Sequence, residues 1–361
     1  MTLYRPFIAA LSGLFLIGCV QNVQPIGLDD SQAFAPRHVY FATNRNETDK
    51  TNLNKRYGQD RADVSFGVNT VAIPANYPKA HSASFIHWNL PLKRNPEKHL
   101  ALVNSAPLTE TAFYERISNE ARRFNPHDAL VFIHGYNVTF ERATRISAKM
   151  AYDLNLSGPV VMFSWPSEES ATKYTVDEVN LQWSQPDIDR FLAQLFAQTD
   201  IERVYLLAHS LGNRALTRSL IHLLSQHPQY AARIGAVIFA APDMDSEIFA
   251  RDFLPKLTPY KLPMTLYVSS RDLALSASST LHGYPRAGEA GDNIIVAPGV
   301  DTIDASDAEA ELLGHEYFSQ GAHTIADIYQ WIIEGKSADQ RDNLLAIEHA
   351  NGHYWQIVPS E

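Results

Sequence analysis

Five short apolar runs alternate with helical patterns through the middle of the chain, and this alternation constrains the fold most. Strands are predicted at 129–133, 159–163, 203–207, 235–240 and 264–268, with helices at 140–154, 176–198, 213–225 and 246–254. Such alternation is typical of a parallel sheet covered by helices on both faces. Outer strands are predicted at 38–42, 66–74, 84–92 and 301–303, outer helices at 109–124 and 322–333, and a surface loop at 48–63. The prediction is an α/β protein with a mostly parallel central sheet, N-terminal antiparallel strands and no large cap domain.

The segment 204–216 places a serine at a strand-to-helix turn. Ala208 and Gly212 stand two residues before and two residues after Ser210. This spacing is typical of a nucleophile elbow, where the turn holds the serine in strained dihedrals and only small flanking residues avoid a clash. The alternative is a chance match of a short motif. The residues that follow in chain order favour the elbow.

An acid and a histidine follow Ser210 in the order that a hydrolase triad of this kind requires. Asp272 follows the strand predicted at 264–268, and His315 follows the last predicted strand. Serine needs a base whose pKa is near the working pH, and imidazole needs a carboxylate to fix its tautomer. We predict Ser210 as nucleophile, His315 as general base and then acid, and Asp272 as the orienting carboxylate.

Several residues compete for two of these roles. Asp243 and Asp245 also follow a strand, so either is an alternative acid, although both could instead cap the next helix. His282 and His323 are alternative bases. His209 precedes the serine directly, but neighbours in an elbow point in different directions, so we expect it to pack beside the turn.

The oxyanion of a tetrahedral intermediate needs preorganised N–H donors. One predicted donor is the backbone N–H of Leu211, directly after the serine. The second is the N–H of Tyr136, in the loop after the strand at 129–133, where Gly135 lets the backbone turn close to the site. An ordinary strand-to-helix loop is the alternative.

The short connection at 240–264 predicts an open cleft over the site. Tyr136, Trp165, Met244 and Leu273 are the candidates to line it and to bind substrate. For each of them, plain packing in the core is the alternative.

With these residues in place, the chain resembles a bacterial α/β-hydrolase family without an assigned function that is related to lipases and esterases. The resemblance covers about 37–335, and it implies an α/β-hydrolase fold and carboxylic-ester hydrolysis by Ser210, Asp272 and His315. The matching segments are 39–45, 66–74, 132–143, 163–167, 208–216, 241–245, 269–275 and 314–318.

The N-terminal segment resembles a lipoprotein signal peptide. Arg5 precedes an apolar run of about 12 residues, which is too short to span a bilayer as a helix. The run ends at Cys19, the single cysteine, in a Leu-Ile-Gly-Cys sequence like a lipobox. Val20 follows, which resembles an outer-membrane address in a Gram-negative envelope. A standard secretory signal or a buried helix is the alternative.

These features divide the chain into four parts. We predict a signal peptide at 1–18, a tether at 19–36 after lipidated Cys19, a hydrolase domain at 37–335 and a C-terminal tail at 336–361. The net charge of −10 argues against nucleic acid as a partner. We expect no cofactor and no metal, because phosphate-binding glycine loops and metal-ligand spacings are missing from the sequence. The expected partners are an ester substrate and, through the lipid anchor, a membrane.

Several functions fit this pattern. An esterase or lipase-like hydrolase is preferred, because an apolar open cleft suits acyl chains. An acyltransferase would use the same triad, and an amidase or peptidase would also use it. A non-catalytic binding lipoprotein fits as well, since a fold alone does not establish activity.

Overall fold

A computed structural model describes residues 34–74, 77, 100–170, 172–308 and 322–358. In this part of the chain, eleven strands form one sheet in the order β10-β11-β9-β8-β7-β6-β4-β5-β1-β2-β3. The strands are β1 (Phe34–Glu47), β2 (Tyr57–Pro74), β3 (Ala101–Leu108), β4 (Asp128–Ile133), β5 (Val160–Ser164), β6 (Arg203–His209), β7 (Ile234–Ala240), β8 (Met264–Val268), β9 (Asp301–Asp304), β10 (Leu344–His349) and β11 (Gly352–Ile357).

The central strands pair in parallel, from β1 with β5 through to β8 with β9. They are almost wholly buried, because successive side chains point to opposite faces and both faces are covered. In β6, Val204 and Leu206 enter the core on one face, whereas Tyr205 and Leu207 enter the core on the other. The sheet is therefore sandwiched between two hydrophobic cores, as the near-continuous apolar runs predict.

Helices complete both cores. The described helices are α1 (Glu110–Ala121), α2 (Phe140–Asp153), α3 (Tyr174–Gln198), α4 (Gly212–Gln226), α5 (Ser246–Ile248), α6 (Leu254–Leu257), α7 (Leu273–His282) and α8 (Ala322–Ile332). Apolar residues of α1, α3 and α4 fill one core, and those of α2 and α8 fill the other. Thr109 and Thr139 begin α1 and α2 by accepting the N–H of the residue three positions on, as N-caps do.

The connection between β7 and β8 is short. It consists of α5, a π-helical turn over Phe249–Phe253, α6 and a 3₁₀ turn over Thr258–Tyr260. The prediction of an α/β-hydrolase fold without a large cap domain is confirmed for the described residues. The predicted central strands and helices agree with the observed ones to within about three residues at each end.

The N-terminal antiparallel strands differ from the prediction in extent. β2 begins at Tyr57, inside the segment predicted as a surface loop, and pairs with β1 as far as Glu47. This outer half of the β1–β2 ribbon is rich in charged residues, so no apolar alternation marks it in the sequence. β3 was not predicted, and the strand predicted at 84–92 lies outside the described residues.

The C-terminal segment also differs from the tail that the sequence predicts. β10 and β11 form an antiparallel hairpin, and β11 pairs in parallel with β9. Arg341 lies just before the hairpin and donates to Asp327 of α8 at 3.0 Å, in a pair that is almost wholly buried. Tyr267 of β8 donates to the same carboxylate at 2.6 Å. This segment therefore continues the sheet.

Candidate functional site

Ser210 occupies a strained turn between β6 and α4. Its φ is 50°, in the left-handed region that costs a non-glycine residue about 1–2 kcal/mol. Its N–H donates to the Ala240 carbonyl at 2.9 Å, and its carbonyl accepts from the N–H groups of Asn213 at 3.1 Å and Asp243 at 3.2 Å. The turn is thus tied both to α4 and to the end of β7. The whole residue is buried in this structure.

Two glycines let the loop after β4 approach this turn. A Cβ on Gly135 would lie 2.8 Å from Ser210 Cβ, and a Cβ on Gly212 would lie 2.5 Å from the His134 carbonyl oxygen. Real Cβ atoms do not approach other atoms so closely. The loop that begins at His134 therefore lies directly against the elbow, and the residues that the sequence predicts as oxyanion donors, Tyr136 and Leu211, are the next residues in these two segments.

The side chains around this loop are placed by packing. Trp165, just after β5, donates its indole N–H to the His134 carbonyl at 2.9 Å and stacks on the His134 ring at 4.9 Å between centroids. Tyr136 is half-buried and packs edge-on against Tyr174 of α3 at 5.2 Å. Burial raises the pKa of the Tyr136 hydroxyl.

Asp272 lies after β8 at the N-cap of α7. Its Oδ1 accepts the N–H groups of Ala274 and Leu275, both at 3.0 Å, and the residue is almost wholly buried. β8 is separated from β6 by β7 alone, so the two strand axes lie about 10 Å apart. Ser210 and Asp272 therefore follow the carboxyl ends of parallel strands at one edge of the sheet, where α/β proteins bind ligands.

His315, the predicted base, lies outside the described residues. The chain leaves β9 at Asp304, at the same edge of the sheet, before it reaches that histidine. His209 is buried beside the turn, with its Nδ1 3.0 Å from the position that a Cβ of Gly135 would take. The contacts of His315 with the other two predicted triad residues lie outside the part of the chain that the structure describes.

Asp243, which competes with Asp272 for the acid role, is the centre of an ion cluster. Its Oδ1 lies 2.9 Å from Arg286 Nε and 3.7 Å from Arg214 Nη2. Oδ1 also accepts from Ser278 Oγ at 2.6 Å, and Oδ2 accepts from the Tyr174 hydroxyl. Burial alone would raise the pKa of Asp243, but Arg214 and Arg286, together with the hydrogen bonds from Ser278 and Tyr174, hold that pKa below its usual value. We name these five residues the Asp243 cluster.

The remaining candidates for the acid and the base lie in different surroundings. Asp245 caps α5 by accepting the Ile248 N–H at 2.9 Å. His282 lies with Nε2 2.9 Å from Glu178 Oε1 and with Nδ1 2.8 Å from the Ser278 carbonyl. These contacts hold His282, the last residue of α7, against α3 and next to the Asp243 cluster. Burial lowers the pKa of His323 in α8.

The four predicted substrate-binding residues differ in the solvent exposure of their side chains. Trp165 and Met244 are buried in the core between the sheet and its helices. Leu273, at the first turn of α7, is 60% exposed next to Asp272. Packing therefore accounts for the first two side chains, and Leu273 and Tyr136 are the ones that reach the surface.

A surface groove elsewhere does not coincide with this site. Pro186, Arg190, His222 and His227 are among the residues that line it, between α3 and the far end of α4. His222 is ten residues beyond Gly212, which is about 15 Å along the helix from the elbow.

The described residues bring no three His, Cys, Asp or Glu side chains together where a metal ion could bind. The same residues include no helix long and apolar enough to cross a membrane.

Most of the polar partners around the elbow were not predicted from the sequence. Arg214, Tyr174, Glu178 and Arg286 come from three separate segments, and sequence spacing does not show that they meet. Of these four residues, Arg214 was the easiest to predict from the sequence, because it follows Ser210 by one helical turn. Its Nε donates to the Asp243 carbonyl at 2.6 Å.

The parallel sheet with helices on both faces and a left-handed serine after β6 define the α/β-hydrolase class. Residues 109–332, more than half of the chain, match the family described as alpha/beta hydrolase of unknown function (DUF900). The chain therefore belongs to that family. No curated protein sequence matches it.

Solved structures of hydrolases align with part of the chain at low identity. A predicted CIB-like hydrolase from Thermoplasma acidophilum is 16% identical, with 56% of this chain and 84% of that chain covered and a TM-score of 0.31. A Bacillus subtilis carboxylesterase is 12% identical, with 58% and 85% covered and a TM-score of 0.31. A Pyrobaculum calidifontis esterase is 11% identical, with 58% and 76% covered and a TM-score of 0.31. Likenesses this distant say nothing about the substrate.

Proposed function

We propose that this protein is a serine hydrolase that cleaves carboxylic esters through Ser210, His315 and Asp272. The observation that carries the proposal is the left-handed Ser210, held against Gly135 at the carboxyl edge of the sheet. A chain keeps such strain where the surrounding structure enforces it and function uses it. Membership of a hydrolase family supports the same reaction class.

In the proposed reaction, Ser210 Oγ attacks the ester carbonyl carbon while His315 takes the hydroxyl proton. The N–H groups of Leu211 and Tyr136 stabilise the resulting oxyanion. His315 returns the proton to the leaving alcohol, and an acyl-enzyme remains. Water then attacks the acyl carbonyl with His315 as base, which releases the carboxylic acid and restores the serine. Asp272 holds the imidazole in the required tautomer.

We assign acyl-group contacts to Tyr136 and Leu273, whose side chains are partly or largely exposed and which directly follow Gly135 and Asp272 in the chain. The carboxyl edge of the sheet is therefore the proposed entry side for the substrate. Trp165 and Met244 are buried in the core, so we assign them no contact with the substrate. We also propose that lipidated Cys19 anchors the enzyme to a membrane, the outer membrane of a Gram-negative envelope. A Cys19→Ser variant should move from the membrane fraction to the soluble fraction, and an unchanged distribution would contradict the anchor.

The first experiment measures hydrolysis of p-nitrophenyl esters from acetate to palmitate by a form that begins after Cys19. Ser210→Ala should remove the activity, and a fluorophosphonate probe should label only proteins that retain Ser210. Ser225→Ala, which changes an exposed serine at the far end of α4, is the matched control and should keep the wild-type rate. A wild type no faster than Ser210→Ala would overturn the esterase proposal.

A further inference from the structure

Arg45, at the end of β1, lies buried beneath the loop that carries the proposed oxyanion donor. All of its nitrogens face acceptors. Nη2 donates to the Val138 carbonyl at 2.6 Å, and Nε donates to Ser164 Oγ at 3.0 Å. Nη1 donates to the carbonyls of Gly58 at 2.9 Å and Ser167 at 3.3 Å. A planar guanidinium with this many fixed partners sets the relative positions of the segments it joins.

Ser164 extends this contact to the loop itself. Its Oγ lies 3.1 Å from His134 Nε2, and His134 Nδ1 lies 2.8 Å from the Gly135 carbonyl. A carbonyl only accepts, so Nδ1 carries the hydrogen. Burial and the nearby Arg45 charge lower the pKa of His134 to about 3, so the ring is neutral and Nε2 accepts from the serine. The hydrogen bonds therefore run in one direction, from Arg45 through Ser164 and His134 to Gly135.

Asp177 of α3 holds the same loop from the other side. Its Oδ2 accepts the Asn137 N–H at 3.0 Å and the Ser167 hydroxyl at 2.6 Å. Ser167 Oγ in turn accepts the Val138 N–H at 3.1 Å. Asn137 has a φ of 56°, so this strained residue is fixed through its own amide. Backbone groups on both sides of Tyr136 are thus tied to buried side chains.

We propose that Arg45, with His134, Ser164, Ser167 and Asp177, is a positioning cluster that aims the Tyr136 N–H at the oxyanion. We name these residues the Arg45 cluster; none of them touches the substrate. The proposal rests on the proposed hydrolase function. Three separated sequence segments, 39–45, 132–143 and 163–167, meet in this cluster.

The test compares Arg45→Met and Arg45→Lys with Arg233→Met. Arg233 is the matched control because it donates to three backbone carbonyls, of Ile201, Phe196 and Thr199, near the opposite edge of the sheet. We expect kcat for a p-nitrophenyl ester to fall about 10²-fold in Arg45→Met with little change in KM, because the lost interaction acts in the transition state. Arg45→Lys should recover little of the lost kcat, because an ammonium group cannot reproduce the planar arrangement of donors that the guanidinium provides. Arg233→Met should keep kcat.

Binding of an alkyl boronic acid gives a second readout, since its tetrahedral adduct on serine mimics the charged intermediate. Its affinity should fall in parallel with kcat/KM in the Arg45 variants. Ser167→Ala removes one link of the cluster with less risk to folding, and it should lower kcat in the same sense. Unchanged kcat and boronate affinity in folded Arg45→Met and Ser167→Ala would overturn the positioning role. If the wild type lacks Ser210-dependent activity, the proposed function fails instead.

Discussion

Two polar clusters flank the elbow, and they are built on different principles. The Arg45 cluster surrounds a buried guanidinium mainly with neutral carbonyl and hydroxyl oxygens. The Asp243 cluster pairs a buried carboxylate with two arginines. Directed hydrogen bonds to backbone groups fix the position of a loop, whereas paired charges make each partner costly to remove. We therefore expect the first cluster to govern catalysis and the second to govern stability.

The largest expected effect is the loss of the carboxylate from the Asp243 cluster. Asp243→Ala leaves Arg286 buried without its partner, and breaking such a pair costs about 3–5 kcal/mol. Thermal or denaturant unfolding measures it. Asp245→Ala is the control two residues away, and it should cost about 1 kcal/mol because only a helix cap is lost. Equal losses in the two variants would show that the ion cluster does not dominate stability here.

The next effect distinguishes the two clusters by how the free energy of unfolding depends on pH. His134 has a folded pKa of about 3, below its ordinary value. Between those two values the unfolded chain binds one more proton than the folded protein, so stability falls as pH falls, by up to about 1.4 kcal/mol per pH unit. The pKa of Asp243 is also lowered, so its stabilisation is present above the ordinary aspartate value and is lost only as pH falls through the folded value.

The stabilisation linked to His134 should therefore decline first as the pH falls, because the unfolded chain takes up the proton while the folded ring stays neutral. His134→Asn, which keeps a donor near the Gly135 carbonyl but does not titrate, should flatten the decline in unfolding free energy between about pH 6.5 and pH 4.5. Asp243→Asn should lower stability throughout that window without changing the slope, and it should flatten the decline below the window, where the wild type loses the contribution of the charged Asp243. The same slope in wild type and His134→Asn would contradict a neutral, buried His134.

A smaller effect tests the contact between the loop and the elbow. In Gly212→Ala the new Cβ would meet the His134 carbonyl oxygen at 2.5 Å, so the backbone of one segment must move, at a cost of about 1–3 kcal/mol. The same shift should lower kcat. Gly335→Ala is the control, because its Cβ meets nothing within 4 Å and only its left-handed backbone is strained. If both variants keep kcat, the close approach is not important for catalysis.

The central half of the fold was predictable from sequence because its strands are buried on both faces and leave continuous apolar runs. β8 agrees with its prediction over Met264–Val268 residue for residue. The outer half of β2 and the C-terminal hairpin were not predictable, since their exposed strands alternate weakly and depend on pairing with distant segments. The elbow was predictable because strand, serine and small residues are adjacent in sequence. Arg45 was not, because its partners lie between 13 and 122 residues away.

The smallest expected effect concerns an exposed ion pair outside both clusters. Arg190 of α3 contacts both carboxylate oxygens of Glu110 in α1, at 2.9 and 2.7 Å, with the arginine side chain 62% exposed. Water screens such a pair, so Arg190→Ala should cost about 0.2–1 kcal/mol and leave kcat unchanged. Its distances are as short as that of the Arg286–Asp243 contact. The two variants differ in burial and in the number of partners, since the Asp243 carboxylate also contacts Arg214, Ser278 and Tyr174. A loss in Arg190→Ala as large as that in Asp243→Ala would mean that neither burial nor the additional partners decide the energy of these pairs.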